Sequence, residues 1–170
     1  EAQFVAYVQD AAARTSALFE AAIEAGDISE EALFDDTYVP IPNTNPQQVM
    51  TRFTEFTDRV LPDIQEAALK MSSNVVFCAA VDTHGYLPTH NRKFSKPQSE
   101  DAVWNTANCR NRRIFDDRVG LKAGRSTAPF LQQTYRRDMG GGDFPMMKDF
   151  SAPIFVNGRH WGGLRLAIRF

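Results

Sequence analysis

Apolar residues recur at alternating spacings of four and three near the start of the chain: Phe4, Val8, Ala11, Thr15, Leu18 and Ala22. That rhythm predicts an amphipathic helix over residues 3–25 with a coiled-coil-like seam, flanked by Val5, Ala12, Phe19 and Ile23. Gly26 stands where a C-cap glycine belongs. Residues 27–45 read as a connection, with a short helix over Ser29–Phe34 and then Pro40, Pro42, Asn43 and Asn45 as breakers. Asn45-Pro46-Gln47-Gln48 offers a cap, a proline at the first helical position and a glutamine at the third, which predicts a helix start. The second helix is expected to reach about Met71, with Val49, Phe53, Phe56, Val60, Ile64 and Ala68 on one face and a kink at Pro62.

From Asn74 the period becomes that of extended chain. Val75–Asp82 is a nearly unbroken apolar run, as in a central strand, and Thr83-His84-Gly85 is a turn. Tyr86–Asn91 reads as a second strand weakened by Pro88. Residues 92–128 are polar, with helical pieces at Asp101–Asn108 and Arg113–Val119. Strands follow at Phe130–Asp138, Phe144–Val156 and His160–Phe170, separated by the glycine turn 139–142 and by Asn157-Gly158, the best hairpin signal in the chain. The order predicts an α+β domain: a five-stranded antiparallel sheet with the N-terminal helices packed on one face.

The 170 residues fit one domain, with residues 1–26 as a signalling or dimer helix and 45–170 as its core. Thirteen phenylalanines promise a well-filled interior. A net charge of −2 gives no overall attraction to nucleic acid, and no apolar run approaches the roughly 18 residues that span a bilayer. The chain opens in a helical pattern and closes in a strand pattern, as expected of a fragment of something longer. Cys78, inside an apolar strand, reads as an inert buried thiol, and nothing demands a disulfide with Cys109.

Three stretches carry a family resemblance. "FCAAVDTHGYLPTHN" (77–91) resembles the first hairpin of a Cache domain, and "DFSAPIFVNGRHWGGLRLAI" (149–168) resembles its last. The stretches NCRNRRIFDDRVG (108–120), TYRRDMGGG (134–142) and KDFSAPI (148–154) are similar to sequence found in bacterial methyl-accepting chemotaxis proteins. The resemblance implies a Cache/PAS-like sensory domain that binds a small polar or anionic molecule. It would relay the signal through a homodimeric receptor to a chemotaxis kinase and adaptor. It further implies a cytoplasmic receptor, with a periplasmic sensor domain as the alternative.

On the PAS-like plan the ligand lies between the sheet and the insert after the second strand. Strand alternation puts Tyr135 and Arg137 on one face. Arg137, Lys148 and Tyr135 are candidates to clamp a carboxylate or phosphate, by bidentate fork, point charge and hydroxyl respectively. The competing reading is a cross-strand ion pair such as Arg137 with Asp149. His90 at the end of the second strand, Arg110 in the insert and Trp104 as an aromatic wall complete the candidate set. Of Arg110, Arg112 and Arg113, one is expected to point inward. The spacing of His84, His90 and His160 matches no metal motif, so no cofactor is expected; haem b held by one histidine and a protein-interaction module are the alternatives. No nucleophile elbow or phosphate loop is present, and the chain is read as a non-enzyme.

Overall fold

The computed structural model describes residues 1–170. Helix α1 (Ala2–Glu24) forms where the repeat predicts it and ends at Gly26, whose φ of 79° lets Asp27 N–H reach the Ala22 carbonyl. Its buried stripe is Phe4, Val8, Ala11, Ala12, Thr15, Phe19 and Ala22. Phe19 takes the place expected of Leu18, which is exposed, so the helix is rolled to seat its larger side chain. A short helix α2 (Glu30–Leu33) is capped by Ser29.

The helix expected to begin at Asn45 does not exist there. Residues 39–50 form a small ladder, β1 (Val39–Pro40) against β2 (Val49–Met50). Thr44 closes its loop by bonding to the Ile41 carbonyl while accepting from Gln48 N–H. Helix α3 (Thr54–Val60) begins only afterwards, and Pro62 opens a separate helix, α4 (Pro62–Ala68), rather than kinking one.

The main sheet has four strands, in the order β3 (Val75–Asp82), β8 (Arg159–Arg169), β7 (Met146–Val156), β6 (Leu131–Arg136), all antiparallel. The expected second strand, Tyr86–Asn91, which would make the sheet five-stranded, shrinks to β4 (Tyr86–Leu87) and pairs with β5 (Arg113–Ile114) in the insert instead. Side-chain amides take over the vacant edge of β3. Asn91 Oδ1 accepts from Cys78 N–H at 2.8 Å, and Gln65 Oε1 accepts from Ala80 N–H at 2.9 Å. Gln65 in turn donates to the Thr89 carbonyl, and Asn91 to the Gln65 carbonyl. Residues 88–91 therefore follow β3 without a ladder, and Pro88 has no amide hydrogen to offer one. The insert holds α5 (Ala102–Asn108) and α6 (Arg118–Arg125). The expected helix at 113–119 is instead strand β5 followed by the start of α6, which Asp117 caps.

The sheet is covered on both sides. On one side α1, α3 and α4 enclose the main core, which includes Phe19, Phe53, Phe150, Leu164, Leu166 and Trp161. On the other lies the insert. Helix α6 approaches closely because β8 carries Gly163 there: a Cβ on Gly163 would stand 2.4 Å from the Ala123 carbonyl oxygen. Leu164, Leu166 and Ile168 face the helices as alternation predicts, whereas Phe170 is exposed. No helix is long and apolar enough to cross a membrane.

Candidate binding site

Alternation along β6, β7 and β8 sends Tyr135, Met147, Asp149 and Arg165 to the insert side. Asp149 and Arg165 are diagonal neighbours, since Asp149 pairs with Ala167 and Ser151 with Arg165. Arg165 Nε lies 3.2 Å from both carboxylate oxygens of Asp149, and both residues are buried. Burial opposes the charge on Arg165, but the Asp149 carboxylate, Tyr135 and Asp117 together hold the guanidinium above its ordinary value.

Between this pair and the insert lies a cavity of about 320 Å3. Its deep walls include Phe77, His90, Arg110, Arg113, Tyr135 and Arg137, and its solvent edge carries Arg136, Asp116, Asp117 and Asp138. Arg137 follows the last residue of β6; its backbone N–H bonds to the Pro145 carbonyl, which anchors it beside the hairpin turn. Its guanidinium carbon sits 4.7 Å from the Phe77 ring centre and 4.4 Å from that of Phe94. Its Nε and Nη2 are buried and have no hydrogen-bond partner. No carboxylate lies within salt-bridge distance of Arg110, Arg113 or Arg137. Burial lowers Arg137 to about 10, and it lowers Arg110 and Arg113 as well; Arg137 and Arg113 push Arg110 further in the same direction.

Arg110 Nη1 donates to the carbonyls of Thr106 and Asp138, both at 2.8 Å, and its guanidinium shares the Phe115 ring with that of Arg113. His90 is packed edge-on between Phe77 and Phe94. Burial, reinforced by Arg137 and Arg110, keeps His90 well below the usual histidine range, so it is neutral. Its Nδ1 accepts the Asn91 N–H at 2.8 Å, which places the imidazole proton on Nε2 as a donor. Burial pushes the Tyr135 hydroxyl up to about 12, so it too remains a donor. The site is a ring of donors around positive charge, suited to an anion.

Four of the six candidates named from sequence therefore meet: Tyr135, Arg137, His90 and Arg110. Lys148 does not join them, because its ladder partner is Thr134 and it faces α1, where it pairs with Glu1. Trp104 stands half-exposed on α5 outside the cavity, and Trp161 is a core residue whose indole donates to the Leu33 carbonyl. Arg137 does not pair with Asp149, which Arg165 occupies. Arg165 is not among those candidates; the signal that marks it is an arginine set between Leu164 and Leu166 in the middle of an otherwise apolar alternating strand. Two insert arginines reach inward rather than one: Arg110 and Arg113 line the cavity, while Arg112 turns away to Asp58. No family model matches this chain, and no curated protein matches it either.

Proposed function

We propose that this chain is a Cache/PAS-like sensing domain of a chemotaxis receptor, which binds a small anion between the sheet and the insert. The unpartnered Nε and Nη2 of Arg137 carry the reading. A buried donor without an acceptor costs about 1–3 kcal/mol, more when charged, and an incoming oxyanion removes that cost. The domain acts by binding rather than by catalysis. Its buried thiols support this, since burial raises the Cys78 and Cys109 thiols away from the reactive thiolate form.

Strand β7 provides a path for the signal. Met147 and Asp149 lie on the insert side of the sheet, where Asp149 holds the cavity-lining Arg165, and between them Lys148 points the opposite way, to Glu1 at the start of α1. Phe150 stacks on Phe4 of the same helix, ring centres 5.6 Å apart. A ligand that favours one curvature of β7–β8 thereby biases the position of α1, to the extent of its differential affinity for the two states. On this reading α1 and the C-terminal strand lead to the signalling module of a cytoplasmic, dimeric receptor, with its kinase and adaptor downstream.

The test is a thermal-shift titration of the protein with a panel of small organic and inorganic anions. A ligand that binds only the folded state raises Tm with concentration. Arg137→Met is expected to abolish that rise without lowering the Tm of the free protein, and Lys148→Gln is expected to retain it. Stabilisation that survives Arg137→Met, or no stabilisation by any anion, overturns the proposal. The second outcome favours a protein-interaction module.

A further inference from the structure

The same cavity is selective in a way its arginines and aromatic rings define. We infer that its ligand is a short dicarboxylate without an amino group, an assignment that rests on the anion-binding reading above. Three features lead there.

The first is charge. Arg110, Arg113 and Arg137 line one cavity with no carboxylate in salt-bridge distance, and burial, then Arg137 and Arg113, lower the proton affinity of Arg110. A single negative charge would leave most of that repulsion in place, whereas two carboxylates offset more of it. Each carboxylate presents two oxygens in a plane, which matches the planar fork of a guanidinium.

The second is the state of the aromatic walls. Of the rings that line the cavity, Phe77 is covered by Arg137, Phe115 by Arg110 and Arg113, and Tyr135 by Arg165. These rings are already engaged with guanidinium groups, and the apolar lining left for a ligand is chiefly Leu87 and Ile114. A long alkyl or aromatic tail finds little surface to bury, which favours a compact ligand.

The third is the placement of negative charge. The one carboxylate buried on this side of the sheet, Asp149, is held by Arg165. Asp116, Asp117 and Asp138 are exposed at the solvent edge. An α-ammonium group would lie among three guanidiniums with no free buried carboxylate to pair with, an arrangement that disfavours amino acids. A lone phosphate is disfavoured on separate grounds. The N-terminus of α6 beside the cavity is already capped by the Asp117 side chain on Gly120 N–H.

Calorimetric titrations at pH 7 and fixed ionic strength, with succinate, aspartate, butyrate and inorganic phosphate, test the assignment. Succinate is expected to bind at least tenfold more tightly than each of the other three. Arg113→Gln is expected to shrink the succinate-to-butyrate ratio, because it removes the second charge's partner. If aspartate, butyrate or phosphate binds as tightly as succinate, the dicarboxylate assignment fails while the anion-sensing reading stands. If none of the four binds to protein of native circular dichroism, both fail.

Discussion

The sheet face that meets α1 buries Phe19, Phe150, Leu164 and Leu166 in a cluster of 25 buried residues. The face under the insert buries Arg137, Asp149, Arg165 and His90 beside a cluster of only six. Strands β7 and β8 send Phe150, Leu164 and Leu166 to one face and Asp149 and Arg165 to the other, so alternation sets that part of the contrast, while His90 and Arg137 come from segments just outside the strands. The helix face gains by removing apolar area from water, at roughly 25 cal/mol per Å2. The insert face carries charge into a low-dielectric space, where a paired ion is close to neutral for stability and an unpaired one is costly. One face holds the domain together, and the other carries buried donors without acceptors at a cost in stability.

Truncation of the helix face is expected to have the largest effect. Phe19 is fully buried and meets Phe56 and Trp161 with ring centres 5.7 and 5.2 Å away. Phe19→Ala should cost about 3–5 kcal/mol, since it removes buried area and leaves a cavity. Chemical denaturation measures this, and a cost below about 1 kcal/mol would show that α1 is not integral to the core.

On the insert face the decisive comparison is between one substitution and two. Asp149→Leu leaves Arg165 buried and unpaired, at a cost of about 3 kcal/mol or more. The double variant Asp149→Leu, Arg165→Met removes both charges and should recover most of that loss, or exceed wild-type stability. A double variant as unstable as the single one would mean that the pair stabilises the fold in its own right, and the contrast between the faces would weaken.

Much of this division was legible in the sequence, for a physical reason: period and turn chemistry are local properties. Helix α1, strand β3 and the β6–β8 meander fall within a few residues of their expected positions, and Asn157-Gly158 makes its turn with φ of 50° and 81°. Faces follow from alternation, so Tyr135 and the apolar side of β8 were readable too. Partner choice was not. Asn45-Pro46 carries every local mark of a helix start, yet the segment pairs as β1–β2 because Val49 N–H reaches the distant Arg112 carbonyl. The loss of the fifth strand depends on Gln65 and Asn91, whose side chains bond to an edge that no local pattern reveals. Lys148 was assigned by its charge, but its place in the alternation, one residue from Asp149, puts it on the opposite face.

The smallest expected effect concerns His90, and here the sign carries the information. The ring is surrounded by Phe77 and Phe94, with Arg137, Arg110, Arg165 and Lys93 as its charged neighbours, and burial followed by these cations lowers its proton affinity. The folded state therefore refuses a proton that the unfolded chain accepts at its ordinary value near 6.5. Above that value both states are neutral at this site and stability does not depend on it. As pH falls below about 6.5, the unfolded state gains the proton first, and stability declines by up to about 1.4 kcal/mol per pH unit. His90→Asn keeps an acceptor for the Asn91 N–H and removes the titration, so stability curves of the variant and wild type should diverge on acidification, with wild type falling faster. An anion seated beside the ring offsets the surrounding positive charge and eases protonation, so bound ligand should flatten the wild-type curve. Parallel curves for the two proteins would mean that His90 is not held neutral, and the picture of an insert face dominated by unbalanced positive charge would lose its most sensitive reporter.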